Sequence, residues 1–215
     1  MTSPDEAILD QMRQRMVDSQ LRARGIKDER VLDAMSRVPR DAFVNEHYRG
    51  QAYEDHPLPI GEDQTISQPY IVAVMLEMLE LKPSNRVLEI GTGSGYATAL
   101  LAELAAEVVS IERHPALANQ ARNLLQELGY RNVEVLVGDG SKGYPRHAPY
   151  EAILVSAAAP EVPPALLSQL GDGGRMVIPV GAPDSQQLEL IQKENGRLQV
   201  THSDPCRFVP LIAES

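Results

Sequence analysis

Apolar residues recur along this chain in two rhythms, and the change between them divides it. Residues 5–24 carry Ile8, Leu9, Met12, Met16 and Leu21 close to helical spacing, and Gly25 ends the pattern. The rhythm resumes after Asp28, a residue suited to an N-cap, with Val31, Leu32, Met35 and Val38, and Pro39 closes it. These two amphipathic helices are expected to cover one edge of a sheet. Residues 53–70 are broken by prolines and polar side chains, so the stretch reads as a loop rather than an element. Ser67, two residues before Pro69, reads as the N-cap of an apolar helix over 71–79 that Pro83 closes. From there short β-branched runs at 87–90, 108–112, 133–137, 152–155 and 176–180 alternate with helical stretches at 96–104, 115–128 and 164–170. The last of these helices is expected to end at the glycine-rich run 171–174. Two further runs, 188–192 and 198–201, flank Asn195-Gly196, a strong hairpin signal. The prediction is an α/β, doubly wound, Rossmann-like sheet with a terminal antiparallel hairpin and N-terminal helices.

Length and composition fit one domain over 1–215: a helical segment 1–50, a loop 51–70 walling an active site, and a core 71–215. Lys and Arg number 20 against 30 Asp and Glu, a net charge of −10. That balance argues against broad contact with nucleic acid or an anionic membrane. The lone Cys206 excludes an internal disulfide and any cysteine metal pair. The charged N-terminus carries no apolar leader, and no apolar run is long enough to span a bilayer, so a cytoplasmic protein is expected. The five histidines are scattered, with no metal-ligand spacing, and neither a G-x-S-x-G elbow nor a Walker lysine is present.

The chemistry concentrates where the run 87–90 meets Gly91, Gly93 and Gly95 ahead of the helix at 96–104. Glycine lets a ligand lie against the main chain, and the helix start offers free N–H groups to a carboxylate or phosphate. A dinucleotide fold would place its third glycine at position 96, which is Tyr. The pattern is instead E-x-G-x-G-x-G from Glu89, which resembles motif I of the S-adenosylmethionine-dependent methyltransferases. Glu89 suits the cationic end of that cofactor, and Thr92 lies in the same loop. Glu112 ends the next strand, where an acid can accept from both ribose hydroxyls. Asp139 and Gly140 form a turn after the third strand, where a carboxylate can accept from the adenine amine; an ordinary tight turn is the alternative.

Longer runs narrow the resemblance. They are R-G-I-K-D-E-R-V-L-D-A-M, V-P-R-D-A-F-V, Y-E-D-H-P-L-P-I-G-E-D-Q-T-I-S-Q-P-Y, G-G-R-M-V-I-P-V-G and R-F-V-P-L, spread over almost the whole chain. Together they resemble the protein-L-isoaspartate O-methyltransferase family, and Q-T-I-S-Q-P is the most specific of them. The resemblance implies methyl transfer from S-adenosyl-L-methionine to the α-carboxylate of L-isoaspartyl residues in damaged peptides and proteins, leaving S-adenosyl-L-homocysteine. A monomer is expected, and the acidic charge argues against nucleic acid or membrane as partners. Ser67 would sit beside methyl donor and acceptor carboxylate, with Gln64, Thr65 and Ile66 lining the cofactor. Gly91, Gly93 and Gly95 would take the methionine end, Glu112 the ribose, and Asp139 with Gly140 the adenine. Val209, Pro210 and Leu211 would form an extended wall against the substrate backbone. No metal is implied.

An ionised carboxylate, with a pKa near ~4, attacks a methyl group without a general base. A motif set without a His/Asp pair therefore suits this acceptor better than an amine or alcohol. Two other readings stay open on sequence alone: a methyltransferase of the same fold with another acceptor, and a non-catalytic binder of S-adenosylmethionine or of isomerised proteins.

Overall fold

The computed structural model describes residues 4–213, so 1–3 and 214–215 of the expected domain lie outside the described residues. In chain order the helices are α1 (Pro4–Arg15), α2 (Glu29–Arg37), α3 (Pro69–Leu79), α4 (Tyr96–Leu104), α5 (Pro115–Glu127) and α6 (Pro164–Gln169). The strands are β1 (Leu58–Gly61), β2 (Gln64–Ile66), β3 (Arg86–Ile90), β4 (Glu107–Glu112), β5 (Val133–Val137), β6 (Tyr150–Val155), β7 (Leu170–Ala182), β8 (Ser185–Glu194) and β9 (Arg197–Cys206).

Seven strands form one sheet in the order β5-β4-β3-β6-β7-β8-β9. The first five are parallel, while β8 and β9 add antiparallel pairs. Period-2 alternation assigns the faces. Val87 joins Leu76, Leu100 and Leu101 in one core; Leu88 and Ile90 join Ile153, Leu166 and Ile178 in the other. Glu89 has the parity of Val87, so its carboxylate is turned toward α4 with no exposed surface. The fold class expected from the sequence is the one observed. Among the described residues no helix is long and apolar enough to cross a membrane.

Several local expectations need correction. The first helix is not uniform: α1 passes into a π-helical turn, Met16–Leu21, and a 3-10 turn, Arg22–Arg24, before Gly25 stops it at φ 102°. Met16, Val17 and Leu21 are all buried in that widened turn. Asp28 does cap α2, accepting from the N–H groups of Arg30 and Val31. Of the N-terminal helices, α2 packs on the helices α3 and α4. The stretch 53–70 is not bare loop, since β1 and β2 pair as an antiparallel hairpin within it. Ser67 is not the helix cap: Gln68 holds that position without a side-chain bond, and Pro69 opens α3. The run 171–174 lies inside β7, absorbed where the register with β6 shifts.

Candidate active site

The chain leaves β3 for β4 and β5 on one side and returns to β6 on the other. The segments after β3 and β6 therefore diverge, leaving the crevice in which open α/β sheets hold ligands. Backbone bonds fix its floor. The Gly91 N–H donates to Ile111 O at 2.8 Å, and the Ser156 N–H donates to Ile90 O at 2.8 Å. A cleft opens there, between the glycine loop, β2, the end of β4 and residues 209–212.

Gly93 and Gly95 are needed for different reasons. Gly93 (φ +53°) lies under β1, where a Cβ would meet Ile60 Cδ1 at 3.4 Å. Gly95 (φ +90°) turns away from the cleft, and its Cβ would meet Ala121 Cβ of α5 at 3.2 Å. Gly91, Thr92 and Gly93 line the cleft, with Ser94 beside them, whereas Gly95 does not; it packs α4 against α5.

Glu112 faces the cleft at the end of β4 with only 5% of its surface exposed. Its Oε2 accepts from the Gly93 N–H at 2.9 Å and its Oε1 from the His114 N–H at 2.9 Å. A carboxylate has about four lone-pair sites, so each oxygen can accept again from a ligand hydroxyl. His114 lines the same wall, and its Nδ1 lies 3.7 Å from Glu62 Oε2 in the β1–β2 turn. The hairpin thus arches over the glycine loop. Gly140 lines the cleft, and a Cβ there would fall 2.3 Å from Ile90 Cγ2. Asp139 does not line it: its Oδ1 accepts from the N–H and hydroxyl of Ser141, and its Oδ2 lies 3.2 Å from Lys142 Nζ.

Glu89, expected to meet the ligand, lies behind the loop and outside the cleft lining. Its Oε2 accepts from Thr98 Oγ1 at 2.6 Å and from Ser110 Oγ at 2.5 Å. Ser110 has one hydroxyl proton and gives it to Glu89, so Thr92 Oγ1, 2.5 Å from Ser110 Oγ, is the donor in their bond. Glu89 Oε1 meets no hydrogen-bonding group among the described residues. Burial pushes the carboxyl up to about 7; bonds from Ser110 and Thr98 act against this, and the charge of Glu112 adds to it. Glu89 therefore anchors the glycine loop from beneath, through Ser110 and Thr92.

Gln64, Thr65, Ile66 and Ser67 form one wall of the cleft, and Val209, Pro210 and Leu211 form part of another. The C-terminal run is held as a strand edge: Ala158 N–H donates to Val209 O at 2.8 Å, and Leu211 N–H donates to Ala158 O at 2.7 Å. A second groove, lined by Pro57, Ile71, Arg207 and Phe208 among others, shares Thr65, Ser67, Ser156 and Val209 with the first. Ser67 thus stands where the two meet, half-buried.

Sequence reasoning missed Tyr96, His114, Ser156 and Ile212, all of which line the cleft. Ser156 was findable, because it directly follows a strand beside the glycine strand. Tyr96 was findable too, as the residue that follows Gly95 in the motif; His114 and Ile212 lack any such signal.

Comparisons with known proteins show the family. The model of the protein-L-isoaspartate(D-aspartate) O-methyltransferase family matches residues 11–215. The protein-L-isoaspartate O-methyltransferase of Koribacter versatilis (strain Ellin345) is 58% identical over 210 residues, 98% of this chain and 95% of that one. That of Methanoculleus marisnigri is 57% identical over 202 residues, 94% of this chain and 92% of that one. Among solved structures, a protein-L-isoaspartate O-methyltransferase superposes with a TM-score of 0.84 at 31% identity; the match covers 92% of this chain and 65% of that one. A Plasmodium falciparum putative protein-L-isoaspartate O-methyltransferase in complex with S-adenosyl-L-homocysteine gives a TM-score of 0.81 at 26% identity, over 93% of this chain and 98% of that one.

Proposed function

The chain belongs to the protein-L-isoaspartate(D-aspartate) O-methyltransferase family, and on that footing we propose how its own residues carry the reaction. The enzyme moves a methyl group from S-adenosylmethionine to the α-carboxylate of L-isoaspartyl residues in peptides and proteins, the first step of their repair. When bound, S-adenosylmethionine supplies an electrophilic methyl group on its sulfonium and is left as S-adenosylhomocysteine.

The cleft fits that molecule. The spare lone pairs of Glu112 suit two ribose hydroxyls. Gly91 and Gly93 let the main chain approach the methionine end, with Gln64, Thr65 and Ile66 opposite. Gly140, with no room for a side chain beside Ile90, suits a flat adenine, and Asp139 shapes the turn that carries it. Glu89 and Gly95 support the loop from behind.

The acceptor carboxylate, with a pKa near ~4, is ionised at neutral pH and needs no base. What remains for the protein is to align carboxylate oxygen, methyl carbon and sulfur, and to exclude water. Ser67 donates to the carboxylate and fixes its direction from its place in the cleft wall. Val209 O and Leu211 N face Ala158, so the Pro210 carbonyl, on the other side of the strand edge, accepts from the substrate backbone. We read the enzyme as a cytoplasmic monomer that acts without nucleic acid or membrane; the net charge of −10 supports the exclusion of polyanions.

The observation that carries this reading is Ser67 at the junction of the two grooves, facing both the glycine loop and the 209–211 edge. The test is labelled methyl transfer to twin peptides that differ only in Asp or isoAsp at one position. The isoAsp twin is methylated and the Asp twin is left, because the normal linkage leaves buried polar groups unpaired. Equal labelling of both would leave a generic carboxyl methyltransferase.

A further inference from the structure

Arg40 has no exposed surface, yet it makes no ion pair with any described residue. The adjacent Asp41 is committed to Arg49 and Tyr53. Burial lowers the Arg40 pKa to about 10, which leaves it cationic at neutral pH. A buried cation with no carboxylate in contact is costly, even with the charge of Asp55 favouring it from further off, and an apolar side chain of similar size would fill the space without that cost.

Its contacts point to one place. Nε donates to Ala52 O at 2.7 Å, and Nη2 donates to Ser67 O at 2.8 Å. The guanidinium carbon lies 4.9 Å from the ring centroid of Tyr96, which opens α4 and lines the cleft. Nη1 has no acceptor among the described residues. Ser67 itself lies between the end of β2 and the start of α3, so neither a strand ladder nor a helix holds its carbonyl. Gln68 gives the helix no side-chain cap, and Pro69 has no N–H to offer. Among the described residues Arg40 is the side chain that bonds the Ser67 carbonyl, while Asp55 holds the next turn through Gln68 Nε2 and the Tyr70 N–H.

We propose that Arg40 is a positioning residue of the methyl transfer: pinned by the Ala52 carbonyl and the Tyr96 ring, its guanidinium fixes the Ser67 main chain and with it the direction of the Ser67 hydroxyl. It also sets a positive charge behind the site of an anionic acceptor. The inference rests on the role given to Ser67 above.

The test is a double-mutant cycle of Arg40→Lys and Ser67→Ala, with kcat and KM on one isoAsp peptide and calorimetric binding of S-adenosylhomocysteine. Lys keeps the charge and the aliphatic stem but cannot make both fixed bonds. Arg40→Lys alone is expected to lower kcat at least about tenfold, with S-adenosylhomocysteine affinity within about threefold of wild type. In the Ser67→Ala background the same change is expected to lower kcat less than about threefold, because its route of action is gone. Equal losses in both backgrounds, an unchanged kcat in Arg40→Lys, or a parallel loss of cofactor affinity would each overturn the proposal. Should Arg40→Lys fail to fold, Arg40→Gln takes its place; failure of both to bind S-adenosylhomocysteine makes Arg40 a folding residue and also overturns it. Ser67→Ala with full activity defeats the serine's role, whereas an impaired Ser67→Ala with an additive cycle defeats only the role of Arg40.

Discussion

Glu89→Gln isolates the fully buried carboxyl that supports the glycine loop from beneath. Burial raises its pKa from an ordinary 4.5 to about 7 in the folded chain, against two hydroxyl donors. Between those values the folded protein holds a proton that the unfolded chain has lost, so stability falls as pH rises. Below the unfolded value the group contributes no difference, and above about 7 the whole loss is in place. At 1.36 kcal/mol per pKa unit the shift corresponds to about 3 kcal/mol. A Gln carbonyl keeps both hydroxyl bonds and does not titrate. Its amide would occupy the place of Oε1, which meets no partner, at a cost of about 1–3 kcal/mol that does not vary with pH. The informative quantity is therefore the change of the variant–wild-type gap with pH, in which titrating groups that do not interact with Glu89 cancel. Urea and thermal unfolding of both proteins, without cofactor, from about pH 4.5 to 8 measures it. The gap should move in favour of the Gln variant by about 3 kcal/mol, roughly 6–12 °C in Tm for a chain of this size. A gap constant with pH, or one moving toward wild type, would refute the buried, proton-holding Glu89. The same samples test the first expectation for this residue: a direct cofactor ligand would lose S-adenosylhomocysteine affinity on this change, and a support beneath the loop would keep it.

Three further perturbations address the cleft and its frame. Glu112→Ala removes the acceptor of the Gly93 and His114 N–H groups along with the ribose contacts, and charge-assisted bonds contribute about 1.5–3 kcal/mol each. Calorimetry should show S-adenosylhomocysteine bound at least about tenfold more weakly, and unchanged affinity would remove Glu112 from the ribose. Ser67→Ala should lower kcat about tenfold or more with cofactor affinity within about threefold, because only acceptor alignment is lost. Wild-type kcat/KM should stay flat from about pH 6 to 9; an ascending limb near pH 6.5 that persists in Ser67→Ala would reveal a titrating base. Gly95→Ala combines a φ of +90° with a 3.2 Å approach to Ala121, whereas Gly129→Ala has the same φ and open space. Thermal unfolding should show Gly95→Ala as the more damaging, by about 1–3 kcal/mol, and equal losses would contradict the packing role.

The parallel core was legible because its signals are local. The inner strands β3 and β4 are short apolar runs buried on both faces, and each helix between carries its own period and stop. The glycine loop with Glu112 at the next strand end was legible for the same reason: strand, turn and helix follow one another without a break. The β1–β2 hairpin was hidden because Pro57 and Pro59 read as breakers, although Leu58 and Ile60 alternate inward over so short a run. Long-range pairing with β6 drew the run 171–174 into β7, where its glycines read locally as a helix end.

Within the site, residue types were readable and their directions were not. Glu89 and Glu112 are both acids at strand ends, yet one faces α4 and the other faces the cleft. Gly93 and Gly95 share a motif, but Gly93 lies under Ile60 while Gly95 packs against Ala121. Asp139 spends its carboxylate on its own turn, which leaves Gly140 as the residue of that pair in the cleft wall. Arg40 and Ser67 stand 27 positions apart, and no spacing rule joins them. The sequence by itself determined which elements form and which chemistry they carry, since propensity and periodicity act over a few residues. Only the tertiary structure decided which atoms face one another, because that depends on how the sheet twists, on which helix covers which face, and on where distant segments come to rest.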